Sequence, residues 1–417
     1  MIPPHGPGAQ IALGPFPAGA GRSVQAALRN DSTTIALDRR RALSFDRAGR
    51  LIRAFWDGRS IRRGLDNRFL EKRKTGPHPW SFARRELLPT ERLALLDGAA
   101  REITAVRDGL CGGSSGLSSP QAAELCERLT ATLVWTPGAL EADAVRFRSI
   151  YLPVPILPPD QYEALVVQVT EGCAYNQCAF CRLYQDRAFR AKPASELRQH
   201  LRAVREFFGA GISLRRSVFL ADANALVLSP ARLAEAFDLM REMLPFGPSS
   251  LRGIYSFIDA FSGAPKSPAH FRTLAERGLR RVYLGVETGC DELLRFLEKP
   301  GSREEAAALV RTLQAAGVAV GIIVLLGIGG EEFLERHVSE TLAAVNAMRL
   351  GPKDILYLSP LEADPGSPYR RREREAGMRP LGDAEMDTQL RAIKAGLQAS
   401  PAGRPKLAVY DIRDFLY

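Results

Sequence analysis

From residue 158 onward, short apolar runs alternate with segments of helical spacing. The runs are "ALVVQVT", "SVFLA", "RGIYSF", "RVYLGVE", "VGIIVLL" and "DILYLS". Strands that are apolar at nearly every position are buried on both faces, the mark of a parallel sheet covered by helices. The helices have readable starts. Ser229 before Pro230 combines an N-cap with proline at the first helical position. Ser302 and Glu305 stand at capping-box spacing. Six such units predict an α/β fold: a parallel barrel, closed or partial, or a doubly wound sheet. Either architecture puts functional residues at the C-terminal ends of strands.

Upstream the pattern differs. "ALSFDRAGRLIRAFWDGRSIRRG" predicts two short strands around Arg47-Ala48-Gly49. A helix is expected over Glu91–Leu110, a loop at "CGGSSGLSSP" (111–120) and a second helix over 121–133. The four prolines of "YLPVPILPPD" make an extended connector. The domain reading is therefore a disordered tail at 1–30, an N-terminal α+β accessory domain (a basic β-hairpin plus helices) at 31–157, the β/α unit at 158–370 and a short C-terminal helical extension at 371–417.

Composition adds limits. The 417 residues are 46% hydrophobic and 25% charged, as in a globular protein. The longest apolar run, "GVAVGIIVLLGIGG" at 317–330, is too short and too glycine-broken for a membrane span. The N-terminus shows no charged region ahead of a compact apolar stretch, so no secretory signal is read there. The net charge of +10 has one address: residues 39–92 hold 16 Lys/Arg against 6 Asp/Glu, and the rest of the chain balances. Such a segment attracts phosphate-rich partners or simply solvates a surface. Six cysteines with three clustered do not resemble a disulfide framework, so a cytoplasmic protein with a metal or cluster site is expected.

The cluster is "QVTEGCAYNQCAFCRLYQD": Cys173, Cys178 and Cys181, with no further cysteine until Cys290. A structural zinc takes four protein ligands. A 4Fe–4S cubane in an electron-transfer protein takes a thiolate on each iron. Three thiolates leave one iron open for a small molecule, as a catalytic zinc keeps a position for water.

This stretch resembles the radical S-adenosylmethionine (radical SAM) superfamily. There, three cysteines in the loop after the first strand of a partial (β/α)6 TIM-type barrel hold a [4Fe-4S] cluster. SAM chelates the open iron and is cleaved to methionine and a 5′-deoxyadenosyl radical that abstracts hydrogen from substrate. Phe180 fills the aromatic place before the last cysteine, while the four residues between Cys173 and Cys178 exceed the family's commonest spacing by one. "VYLGVETGCDELLRFLEKPG" and the glycine-rich "GIGG" look like the fourth and fifth barrel strands and their ends. The resemblance implies Glu287 near SAM, and the backbone of Leu326–Gly329, including Gly327 and Gly329, near its adenosine. Leu358 and Ser359 would lie near the adenine edge, and Asp222 in the place of the family's Gly-Gly-Glu that meets the SAM amino group. The resemblance covers roughly residues 160–370. It implies a small-molecule or peptide substrate and an electron donor such as flavodoxin or ferredoxin.

Subtype is narrowed by exclusion. Leu183 stands where oxygen-independent coproporphyrinogen oxidases carry a further cysteine, and no later cysteine group follows Cys290 for an auxiliary cluster. A cobalamin-binding Asp-x-His-x-x-Gly is absent, and "GIGG" lacks dinucleotide-fingerprint spacing. Other readings stay open at this level. The thiols could hold zinc with His200, or form a disulfide with one thiol spare. Glu287 could pair with an arginine, and Cys290 reads as a small buried residue. Arg182, Arg187 and Arg190 follow the cluster loop as counter-charges, as holders of a substrate carboxylate or as plain surface. The chain could instead be a nucleic-acid-binding or RNA-modifying protein using segment 39–92, or a non-catalytic cluster protein.

Overall fold

A computed structural model describes residues 9–15, 23–111, 119–262 and 267–417. Its centre is a seven-stranded, all-parallel sheet in strict sequential order: β9 (Leu165–Gln168), β12 (Val218–Ala221), β13 (Ile254–Ile258), β14 (Leu279–Glu287), β15 (Ala319–Leu326), β16 (Ile355–Pro360) and β17 (Lys406–Val409). The first six are the six apolar runs. Between them lie α4 (Ala194–Phe208), α5 (Pro230–Met243), α6 (Pro268–Glu276), α7 (Asp291–Phe296), α8 (Arg303–Ala315) and α9 (Leu334–Ala347). Right-handed crossovers in sequential order put all helices on one face. On the other face aromatic rings meet across strands two apart, which stand roughly 9.6 Å from each other. Phe219 reaches Tyr283 at 5.9 Å and Tyr283 reaches Tyr357 at 6.4 Å between centroids. The sheet is therefore curled with its concave face filled. Gly321 makes room for this, since a Cβ there would overlap the Tyr283 ring. Below the strands, Asp160 accepts 2.7 Å hydrogen bonds from the hydroxyls of both tyrosines.

The proline-rich connector and the C-terminal residues cover the exposed edge of β9. Val166 donates its N–H to the Tyr417 hydroxyl at 2.9 Å, and its carbonyl accepts from the Tyr151 hydroxyl at 2.8 Å. Tyr410, just past β17, donates to the Leu157 carbonyl at 2.8 Å, tying the far edge to the connector. An open edge presents unpaired backbone groups; here side chains satisfy them.

Several expectations are corrected. The C-terminal extension does hold helices α10 (Pro368–Glu375) and α11 (Asp383–Gly396), but it ends in the parallel strand β17. Lys406 and Leu407 there are exposed, so the edge strand lacks the continuous apolar signature. The accessory domain is an eight-stranded antiparallel meander, larger than a hairpin: β1 (Ala9–Pro15), β2 (Ser23–Leu28), β3 (Ser32–Asp38), β4 (Arg41–Asp46), β5 (Leu51–Trp56), β6 (Arg59–Arg63), β7 (Phe69–Lys74) and β8 (Phe82–Glu86). The strands from 59 onward hide because "RSIRR", "FLEKRK" and "FARRE" put arginine and lysine on much of their length. The tail expected at 1–30 gives way to β1 and β2, and its residues 1–8 and 16–22 lie outside the described residues. Three helices follow: α1 (Pro89–Cys111), α2 (Ser119–Leu133) and the unforeseen α3 (Pro137–Ile150). Of the loop expected at 111–120, residues 112–118 lie outside the described residues. Ser302 accepts from the Glu305 N–H as expected, whereas Ser229 stands at its N-cap position without a side-chain capping bond.

Part of the basic segment is paired with carboxylates from the rest of the chain, while Arg39, Arg40, Arg73 and Lys74 stay exposed. Arg50, buried, donates to both oxygens of Asp143 (2.9 and 3.1 Å) and to the Phe207 carbonyl (2.7 Å), joining β5's hairpin to α3 and α4. Arg84 bridges Asp411 and Asp414, Lys72 meets Asp414, Arg53 pairs with Glu163, Arg41 with Glu102 and Arg47 with Glu124. All these carboxylates lie outside 39–92, so much of the local excess is neutralised by the rest of the fold. Among the described residues no helix is long and apolar enough to cross a membrane.

Candidate active site

The three cysteines follow β9 at the C-terminal end of the sheet. A two-residue antiparallel ladder closes the base of their loop, with β10 (Thr170–Glu171) paired to β11 (Arg190–Ala191). Asp222, 1% exposed at the end of β12, clamps both arms. Its Oδ2 accepts from the Gly172 N–H and from Arg187 Nη1, each at 3.1 Å, and its Oδ1 accepts from the Gln168 amide at 3.0 Å. Burial pushes the Asp222 carboxyl above the usual range, and these donors pull it back. Gly172 has φ +72°, and a Cβ there would press on the Ala188 carbonyl, so this turn needs glycine.

Within the loop all three thiols are free and half-buried. The Asn176 N–H points at the Cys173 sulfur (3.3 Å), and the Leu183 N–H serves Cys181 in the same way. Amides aimed at sulfur favour the thiolate that iron requires. Burial and the nearby Cys181, Glu287 and Cys173 push the Cys178 thiol up to about 12, against the pull of Lys299. Among the described residues no group of three His, Cys, Asp or Glu side chains is gathered as a single metal ion needs. His200 is committed elsewhere: its Nε2 accepts from the Gln168 N–H (3.1 Å), its ring abuts Tyr151, and burial lowers its pKa to about 4.

Glu287 lies at the end of β14, beside a bulge against β15 between Gly285 and Glu287. The bulge and the φ of +65° at Glu287 turn its carboxylate inward. It pairs with Lys299 at 2.8 Å; the pairing expected with an arginine is made by lysine. Lys299 lies 5.9 Å from the Phe180 ring centroid, and Glu287 and Cys178 hold its pKa above the ordinary lysine value against the opposing effect of burial. The sequence showed Lys299 only as a lysine in a turn.

The "GIGG" loop is enclosed by the C-terminal extension. Gly327 N–H donates to Gln389 Oε1 (2.8 Å) and Gly329 N–H to the Tyr369 hydroxyl (2.9 Å). The faces these glycines leave bare are filled by Met386, and by Phe333 with Leu293. Their amides are therefore engaged by protein. Leu358 and Ser359 are buried in β16, paired with Val324 and Leu325 of β15. Tyr369 also donates its own N–H to the Ala179 carbonyl (3.0 Å), so α10 touches the cysteine loop and the glycine loop together. Neither Tyr369 nor Gln389 carried a sequence signal. Cys290 is fully buried and faces Arg336 and Glu340 of α9. Arg182 and Arg190 are exposed; Arg190 pairs with Glu171 and Glu196.

Residues 167–341 match the family model of the Radical SAM superfamily. That is a superfamily of enzymes that bind a [4Fe-4S] cluster and SAM. Similar solved structures include coproporphyrinogen III oxidase (HemN) from Escherichia coli, at 17% identity and TM-score 0.43 over 56% of this chain and 51% of that one. The radical SAM methyltransferase TsrM from Kitasatospora setae is similar at 20% identity and TM-score 0.37, over 49% and 38%. HydG, a maturase of the [FeFe]-hydrogenase, is similar at 14% and 0.39, over 74% and 66%. The chain thus spans about half the length of the first of these. No curated protein matches it.

Proposed function

We propose that the protein is a radical SAM enzyme whose curled sheet acts as a partial (β/α)6 barrel, with Cys173, Cys178 and Cys181 holding a [4Fe-4S] cluster. The observation that carries this reading is the cysteine loop itself. Three free thiols share it, two of them served by backbone amides, and Asp222 braces its base from the next strand. A cluster held by Cys173, Cys178 and Cys181 would supply one-electron reduction for the cleavage of bound SAM. The chain's residues bind, orient and exclude water. Asp222 fixes the loop, and the Glu287–Lys299 pair presents charge beside it. Asp222 is then a positioning residue, since its oxygens already serve Gly172, Arg187 and Gln168.

The substrate is a small molecule or a peptide, and a low-potential donor of the flavodoxin or ferredoxin kind supplies electrons. The nucleic-acid reading loses support because the arginines of 39–92 pair so widely with carboxylates elsewhere in the chain. Anaerobic reconstitution with iron and sulfide, followed by reduction in the presence of SAM, tests the proposal. The expected products are a brown protein and 5′-deoxyadenosine. Stoichiometric zinc in a colourless protein, with SAM left intact, would refute it.

A further inference from the structure

The Lys299–Glu287 pair carries an inference that rests on the cluster reading above. Lys299 Nζ stands 2.8 Å from Glu287 Oε1 and 5.9 Å from the ring of Phe180, the residue next to Cys181. The two side chains are only 12% and 9% exposed. Three local features converge on this pair. The bulge shifts Glu287 out of strand register, its φ is +65°, and Gly285 leaves room where a Cβ would overlap the Glu287 carboxylate. A buried ion pair yields little net stability compared with apolar residues of similar volume, so stability alone does not account for this arrangement.

We propose that Lys299 and Glu287 set the reduction potential of the iron–sulfur group held by the cysteine loop, the ammonium favouring the reduced state and the carboxylate opposing it. Reduction takes one electron from an external one-electron donor (dithionite in the experiment) and adds one negative charge to the thiolate-bound set. No bond is made or broken and no proton moves. In a water-poor site that added charge interacts strongly with fixed charges beside it. The fields of both Lys299 and Glu287 reach Cys178 and Cys181, and Asp259 is the further carboxylate facing the lysine.

The test is a potentiometric titration followed by electron paramagnetic resonance, on the full chain reconstituted anaerobically and without SAM. Wild type is compared with Lys299→Met, Glu287→Gln and the double variant, with iron and sulfide measured in each. Lys299→Met is expected to move the midpoint to more negative potential and Glu287→Gln to more positive. Each shift is about tenfold in the one-electron equilibrium, or about 59 mV. The double variant should fall between them. Should Lys299→Met not fold, the double variant read against Glu287→Gln gives the lysine's shift with the same sign. Normal cluster content with unmoved midpoints, or with both singles moving the same way, overturns the inference alone. A wild-type protein that takes up no cluster overturns the underlying reading and this inference with it.

Discussion

Asp222 shows how one carboxylate can organise the base of a cysteine loop from outside it. It reaches Gly172, just before Cys173, and Arg187, beyond Cys181, from the end of the neighbouring strand. Asp222→Asn turns one accepting oxygen into a donor facing donors. A charge-assisted buried hydrogen bond contributes about 1.5–3 kcal/mol. The variant should lose stability of that order and, once reconstituted, should surrender iron to a chelator faster than wild type, followed by the decay of cluster absorbance. Cys173, Cys178 and Cys181 were readable from sequence because three thiols in nine positions are a local signal. Lys299 was not. Its partner lies twelve residues back at a bulge, and nothing in "EKPG" tells a buried cation from a turn residue.

Among elements, α10 links the cysteine loop to the glycine loop. Tyr369, fully buried, donates its N–H to Ala179, accepts from Gly329 and donates its hydroxyl to Glu373 (3.0 Å). Arg372 on the same helix donates to the Phe296 carbonyl (3.0 Å) and pairs with Glu298. Tyr369→Phe strands the Gly329 amide in an apolar cluster, at a cost of about 1–3 kcal/mol. Denaturant unfolding should show a lower midpoint with an unchanged slope. The helical pattern of the extension was visible in sequence, but its role was not. A helix's own periodicity shows which face is buried and says nothing about which loop it covers.

Over the whole molecule, buried histidines fix the acid limit. His200 and His337 are each held to about 4 by burial, below the ordinary value of 6.5. The fold therefore keeps them neutral while the unfolded chain takes up protons. Their contribution is complete above pH 6.5 and is lost as pH falls from 6.5 toward 4, by up to ~3 kcal/mol each. Asp46 and Asp222, raised by burial, offset part of that loss at the acid end. Urea unfolding at pH 7.5, 6 and 5 should give steadily falling stability, and substituting His337 by an uncharged residue should flatten the slope. The charge distribution is likewise a property of the whole molecule. The excess in 39–92 looked like a free positive field, yet Arg41, Arg50, Arg53 and Arg84 each find a carboxylate from a distant part of the chain.

The sequence by itself determined the six buried strands and the thiol triplet, because continuous apolar runs and close-spaced cysteines are properties of neighbouring residues. Only the tertiary structure decided the seventh strand, the pairing of arginines with distant carboxylates, the Asp222 clamp, the Lys299–Glu287 pair and the enclosure of "GIGG" by Tyr369 and Gln389. Each of these joins residues far apart along the chain or depends on a local departure from strand register, and neither leaves a periodic trace in the order of the amino acids.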